Sequence, residues 1–286
     1  MRNVPSKLNG VNNIVAGQKA WVKVPNGPKY LEFIIVSNIP KAGIEKVTID
    51  VGGVHQLGEI IEVSGADLVT MEDYVNKEYD FAGAAPYIYV LQLGNQEANT
   101  DLGQMFTGLV TTLNDNVLLN MYIKAGDATA NKYIDVYAES TEPSAALGEV
   151  DANGRPVRQI VPMLKPHTVT NTVLGEIDYT TLPDEAGLEY RRLYLSGGGI
   201  DDVEIKKDGE TKYEENKVVA EFQQGREKRV PQSGVFVIDF VRRGWVVSDT
   251  FKPQHSRELR LRMNATVAEN IRVLVDGFIR LNKPQG

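Results

Sequence analysis

Short runs in which every second residue is apolar recur along the chain, the pattern of strands that bury one face. Lys46-Val47-Thr48-Ile49-Asp50-Val51 puts Val47, Ile49 and Val51 on one side. Glu258 to Met263 alternates strictly, and Asn270 to Val275 presents Ile271, Val273 and Val275 in the same way. The same reading predicts strands over Tyr30 to Ser37, Tyr87 to Leu93, Val117 to Ile123, Tyr133 to Ala138, Tyr190 to Leu195 and Val235 to Val241. Turn residues separate them: Gly52-Gly53, Gly126-Asp127, Gly197-Gly198-Gly199 and Asp208-Gly209. The last suits a type I′ hairpin, which needs positive φ at both central positions. Two helices are expected. Ser64 caps one from about Gly65 to Lys77, with Leu68, Met71 and Val75 on a shared stripe. The other runs from about Lys212 to Gln223, with Val218, Val219 and Phe222 as a narrow apolar stripe. So few helices among so many strands mean an all-β protein.

The pattern repeats. Gly43-Ile44-Glu45-Lys46-Val47-Thr48-Ile49, closed by Gly53, matches Gly199-Ile200-Asp201-Asp202-Val203-Glu204-Ile205, closed by Gly209, at a constant offset of 156 residues. Each copy follows a strand ending in Ser (Ile34 to Ser37; Leu193 to Ser196) and precedes a hairpin, a helix and an apolar strand. Each half then finishes as strand, polar turn, strand. Six elements in the same order imply two copies of one β domain. The join is expected around Ser140 to Pro166, where Pro143, Pro156, Pro162 and Pro166 would break any ladder. The expected organisation is a jelly roll over 1–145, a Pro-rich connection over 146–166 and a second jelly roll over 167–286. The fold class is thus two tandem eight-stranded jelly-roll barrels with short helices in inter-strand loops.

Composition narrows the chemistry. The 286 residues include no Cys, which excludes a disulfide scaffold, a thiolate nucleophile and Cys-based metal sites. The net charge of −7 gives no electrostatic footprint for nucleic acid, so no sequence-specific binding to it is expected. Residues 1–150 hold 10 Lys+Arg against 18 Asp+Glu, whereas residues 151–286 hold 21 against 20. Copies of one fold with such different surfaces face different neighbours. The start, Met1 to Lys7, leads into no apolar stretch of a signal peptide, and no run approaches the roughly 18 apolar residues of a membrane span. A soluble protein made in the cytosol is the expectation.

At its N-terminus the chain carries Met1-Arg2, Ile14-Val15-Ala16-Gly17 and Lys23-Val24-Pro25 with Gly27. Its second half carries Gly199 to Glu204 with Asp208-Gly209, Ile238-Asp239-Phe240, Leu259 to Arg262, and Ala268-Glu269-Asn270-Ile271 running on to Gly277. In this ordered series it resembles the double jelly-roll major capsid proteins of corticovirus-type tailless, membrane-containing phages. The likeness covers the first quarter and most of the second half; Gly94 to Pro166 matches poorly. It implies a structural coat protein, a homotrimer whose paired barrels give a pseudo-hexagonal capsomer in an icosahedral shell over an internal membrane. It implies neighbouring capsomers and vertex and membrane-associated virion proteins as partners, location in the virion capsid, and synthesis in the host bacterial cytoplasm. Some relatives bind calcium, but none of their ligand sets transfers to this sequence.

No residue is expected to be catalytic, cofactor-binding or a metal ligand, and the chain is read as no enzyme. His55, His167 and His255 are scattered, without ligand spacing or a Ser–Asp pair to form a triad. Gly197-Gly198-Gly199 lacks the spacing of a phosphate cradle and reads as a turn. Carboxylates cluster at Glu72-Asp73, Glu78, Asp80, Asp201-Asp202 and Glu214-Glu215, and read as solvated faces rather than a glycosidase pair. Weak calcium binding is expected, if anywhere, at the loops of Asp127, Asp151 or Asp201-Asp202. Arg226, Lys228, Arg229 and Arg242-Arg243 form the strongest basic cluster, read as a contact for an acidic neighbouring subunit, so that reversing Arg242 and Arg243 to Glu should impair shell assembly. The alternative from another class is a tandem β-sandwich carbohydrate- or receptor-binding protein, which would expose an aromatic platform. Trp21 and Trp245 sit in apolar contexts and are expected in the core or an interface. A cupin-like enzyme would need a His-rich metal set, which three scattered His do not supply.

Overall fold

The computed structural model describes residues 4–75, 85–254 and 257–285. The chain forms two compact units: Met1–Glu72, Lys77–Pro162 and Leu281–Gly286 make the first, Asp73–Asn76 and Met163–Arg280 the second.

The first unit is built from β1 (Ser6–Lys7), β2 (Lys19–Val24), β3 (Lys29–Ser37), β4 (Ile44–Gly53), β5 (Gly58–Val63), helix α1 (Gly65–Tyr74, whose last two residues belong to the second unit), β6 (Tyr87–Gln92), helix α2 (Asp101–Phe106), β7 (Leu109–Val110), β8 (Asp115–Ile123) and β9 (Ile134–Thr141). Its strands run in two orders, β1-β9-β3-β6 and β2-β8-β4-β5, with the short β7 beside β3. The alternation seen in the sequence is the burial pattern: in β2, Ala20, Val22 and Val24 point inward while Lys19, Trp21 and Lys23 point out. Val47, Ile49 and Val51 of β4 are fully buried as expected.

The second unit contains β10 (Arg158–Val169, entering from the first unit), β11 (Gly175–Tyr179), β12 (Leu188–Ser196), β13 (Ile200–Lys207), β14 (Glu210–Asn216), helix α3 (Lys217–Arg226), β15 (Val235–Asp239), β16 (Leu259–Ala265) and β17 (Ile271–Gln285). Its orders are β10-β17-β12-β15 and β11-β16-β13-β14. Replacing each strand of the first unit by its counterpart gives these orders without exception. Each unit is therefore an eight-strand jelly roll among the described residues. Leu193, Leu195, Val203, Ile205, Leu261, Met263, Val273 and Val275 fill the second barrel.

The repeat extends to irregularities. Both β3 and β12 carry a bulge against their partner, between Tyr30 and Glu32 with β9 and between Tyr190 and Arg192 with β17. In both, the tyrosine before the bulge donates its hydroxyl to a proline carbonyl, Tyr30 to Pro25 at 2.8 Å and Tyr190 to Pro183. Gly277 faces the second bulge, where a Cβ would lie 2.4 Å from the Glu189 carbonyl oxygen.

Three expectations need correction. Pro162 and Pro166 do not break the ladder but lie inside β10. Successive N–H groups of a strand point to alternate sides, so prolines four apart remove donors from one side and leave the other intact. The second helix begins at Lys217, not Lys212, because the Asp208-Gly209 turn (φ 54° and 81°) folds residues 210–216 back onto β13. Asn216 then caps the helix, its Oδ1 accepting from the Val219 N–H at 3.0 Å. The apolar stripe of that helix faces outward, as described below. The other helix keeps its expected start: the Ser64 hydroxyl accepts the Asp67 N–H, and Asp67 in turn accepts the Ser64 N–H at 2.7 Å. The expected reach to Lys77 lies partly outside the described residues.

Candidate functional site

The scattered titratable residues stay scattered. His55 is half-buried in the β4–β5 turn, and His255 lies outside the described residues. His167 sits on β10 with its Nε2 buried and unbonded, and burial, aided by Lys165, holds its pKa below the ordinary value. Among the described residues no three His, Asp or Glu side chains gather as a metal site.

The acidic clusters resolve into local bonds. Glu78 and Asp80 lie outside the described residues. Glu72 accepts from the Gln92 amide at 3.2 Å. Glu214 and Glu215 are neighbours on a strand and so face opposite ways; Glu215 accepts from the Tyr213 hydroxyl at 2.5 Å and from Arg242 at 2.8 Å. Asp201 accepts from Asn264 at 2.8 Å. Asp127 faces the Lys132 ammonium at 3.1 Å, where a bound cation would otherwise sit. Asp151 accepts the Arg155 and Asn153 N–H groups at 2.8 Å each, and these hold its carboxyl below the usual range. Gly197, Gly198 and Gly199 all have positive φ. The Gly198 N–H donates to a Glu269 carboxylate oxygen at 2.9 Å, so a carboxylate already occupies the place a phosphate would take.

The basic cluster does not form one free patch. Arg229 is buried and points its Nε at Asp239, 3.5 Å away. Arg242 is held by Glu215, which ties the loop after β15 to the strand that feeds α3. Arg226 lies over the Phe222 ring at 5.9 Å. Reversing Arg242 would therefore disturb a contact inside the unit before it altered any between copies.

Buried charge is the feature sequence reasoning missed. In the first unit Arg158 pairs with Asp115, both side chains at 0% exposure, and Lys29 pairs with Glu149. Arg158 also donates to the Val110 carbonyl at 2.9 Å and to the Gln285 side chain at 3.3 Å. Burial pulls the Lys29 and Arg158 pKa values down while the partner carboxylates oppose the shift. In the second unit the bulge sets Arg191 and Arg192 both opposite Asp276: Arg191 Nε donates at 3.0 Å, and Arg192 Nη1 lies at 3.9 Å. Arg192 also reaches Asp239 at 3.1 Å, beside Arg229 and the Tyr74 hydroxyl, which donates to Asp239 at 3.1 Å. In the second unit Arg192, Asp239 and Asp276 alternate with the core residues Leu193, Ile238 and Val275, so this buried set lies on the face of the β12, β15 and β17 strands away from the barrel core.

Several large apolar side chains face outward. Trp21 and Trp245 are not core residues: Trp21 stands between two lysines on the outer side of β2, and Trp245, 52% exposed, lies in a turn rather than a strand. Buried Val246 pins that turn while Trp245 and Val247 project from it. On α3, Val218, Val219 and Phe222 are exposed by 78%, 41% and 65%. The helix is held instead by buried Ala220 and by Gln224, whose amide donates to the Val237 carbonyl at 2.8 Å.

Comparison with known proteins bears on what such surfaces serve. Family models described as Viral coat protein P2 N-terminal domain and Viral coat protein P2 C-terminal domain match residues 5–141 and 161–281. Comparison with curated protein sequences finds no match. Among solved structures, the major capsid protein P2 of bacteriophage PM2 is similar at 16% identity over 99% of each chain, with a TM-score of 0.81. The STIV major capsid protein is similar at 13% identity over 96% of each chain, TM-score 0.72. The PBCV-1 virus capsid is similar at 8% identity over 97% of this chain and 92% of that one, TM-score 0.57.

Proposed function

The chain belongs to the viral coat protein P2 family, a structural double jelly-roll major capsid protein of the virion, and we propose that it fills this role as a homotrimer. The observation that supports this reading is the internal repeat. Two barrels of one strand order in one chain give three copies six similar blocks, a near-hexagonal outline that tiles a closed shell. The reading assigns the chain no catalytic step, because its buried charges engage one another and its outward apolar side chains suit contact rather than turnover. Neighbouring capsomers, vertex proteins, an underlying membrane and synthesis in the host cytoplasm belong to the same proposal.

Native mass spectrometry of the purified protein, with negative-stain images of the same sample, tests it. We expect a stable species of three chain masses with a three-lobed or hexagonal outline. A persistent monomer at every concentration and calcium level would overturn the trimer, and a glycan-dependent shift of that monomer would move the reading to a binding module.

A further inference from the structure

The dipeptide Asn-Gly occurs three times in the chain, at Asn9-Gly10, Asn26-Gly27 and Asn153-Gly154. It is reactive for a steric reason. Glycine has no Cβ, so its backbone nitrogen can close on the side-chain carbonyl carbon of the asparagine before it. A C–N bond forms there, the C–N bond of the side-chain amide breaks, and ammonia leaves with the proton of the glycine N–H. Water then opens the five-membered imide at either carbonyl, giving aspartate or isoaspartate. The reaction needs water but no oxidant, a glycine N–H not engaged elsewhere, and an asparagine side chain free to turn. Three copies of one dipeptide hold the chemistry constant, so the fold decides between them.

At Asn26-Gly27 both partners are tied. The Asn26 amide donates to the Leu113 carbonyl at 3.2 Å and to the Asp115 carbonyl at 2.7 Å. The Gly27 N–H donates to Thr111 Oγ1 at 2.9 Å and to the Thr111 carbonyl at 3.3 Å. At Asn153-Gly154 the nucleophile alone is tied. The Gly154 N–H closes a turn on the Asp151 carbonyl at 3.0 Å, and the Asn153 and Arg155 N–H groups fix that turn on Asp151 Oδ1 at 2.8 Å each. Asn9 and Gly10 are both exposed, and among the described residues neither the Asn9 side chain nor the Gly10 N–H has a hydrogen-bond partner. The chain is anchored on either side of them. The Leu8 N–H donates to the Val136 carbonyl at 2.8 Å, and Asn12 and Trp21 exchange backbone bonds at 2.9 and 3.1 Å. The extra backbone methylene of an isoaspartate would thus fall in an exposed link and not in a ladder.

We infer that Asn9 is a site of spontaneous covalent modification, passing through a cyclic imide with Gly10 to isoaspartate and aspartate, ahead of Asn153 and then of Asn26. Each event adds one negative charge to a chain already at −7. The isoaspartyl form also carries the carboxylate that an isoaspartate-specific methyltransferase accepts. The modification goes beyond the coat-protein reading and does not depend on the oligomer.

The test incubates the folded full chain at mildly alkaline pH in water enriched in oxygen-18 and follows the three Asn-Gly peptides by mass spectrometry. Asn9 should convert about ten-fold or more faster than Asn26, whose four hydrogen bonds must first open, with Asn153 between them. In the urea-unfolded chain the three rates should come within about three-fold of one another. Methyl transfer from S-adenosylmethionine by an isoaspartyl methyltransferase should label the converted Asn9 peptide. Equal rates at Asn9 and Asn26 in the folded chain, or Asn153 ahead of Asn9, would overturn the inference. A spread of rates in urea as wide as in the folded chain would assign the order to sequence context and overturn it as well. A product that is aspartate alone would overturn the imide route.

Discussion

In the first barrel each buried cation described has its own carboxylate, Lys29 with Glu149 and Arg158 with Asp115. In the second, arginines share: Arg191 and Arg192 both reach Asp276, and Arg192 and Arg229 both reach Asp239. The backbone that permits sharing is present in both copies, since β3 and β12 carry the same bulge. The first barrel fills it with Leu31, fully buried, and the second with Arg191. One strand order therefore supports two ways of burying charge, and the difference lies in side chains rather than topology. An isolated pair gives tight specification with no redundancy; a shared set tolerates loss of one member.

The largest expected effect breaks that comparison directly. Arg158→Met leaves Asp115 buried without its cation and should cost about 3–5 kcal/mol in urea unfolding. Arg229→Met should cost about 1–2 kcal/mol, because Asp239 keeps Arg192 and the Tyr74 hydroxyl. Equal losses would refute the idea that sharing buffers the second barrel. The closing glycines of the repeat come next. A Cβ at Gly53 (φ 96°) would lie 2.2 Å from the Asn114 carbonyl oxygen, whereas one at Gly209 (φ 81°) meets open space. Gly209→Ala should lose about 1 kcal/mol from backbone strain alone, and Gly53→Ala about 2 kcal/mol more from overlap. Thermal melts of the two variants would decide it, and similar values would mean the β8 side yields easily. The smallest effect concerns His167, whose folded pKa lies below its unfolded value of 6.5. Below 6.5 the unfolded chain then binds more protons, so its contribution is complete above that pH and is lost as pH falls through the folded value. His167→Gln should flatten the melting temperature as pH falls below about 6.5 relative to the parent; an unaltered slope would assign the acid sensitivity elsewhere.

Much of the fold was legible because its signals are local. Alternation in β2, β4 and β16, the Asp208-Gly209 turn and the Ser64 cap each depend on a few consecutive residues. The matching of Gly43 to Gly53 with Gly199 to Gly209 brought the architecture within reach, since β4 and β13 do occupy equivalent places. The buried ion pairs were illegible. Lys29 and Glu149 lie 120 residues apart, and Arg158 and Asp115 lie 43 apart; each looks like an ordinary surface charge in its own neighbourhood. The pairing of Tyr30 with Tyr190, each in the residue before a bulge, was a signal present in the sequence and passed over. The outward face of α3 was misread because Val218, Val219 and Phe222 have the spacing of a core stripe, and periodicity does not say which side of a helix meets the core.

The first unit draws on chain from both sides of the second: residues up to Pro162, and then Leu281–Gly286. Gln285, which accepts from Arg158, comes from that returning stretch. Seen in time rather than space, this orders the birth of the molecule. As the ribosome delivers the chain, every strand of the first barrel is made before the second barrel, yet the Gln285 side chain that Arg158 meets arrives only after it. The first barrel thus has its strands early and one partner of its buried Arg158 late, so the bonding around that arginine closes only after the second barrel has been made.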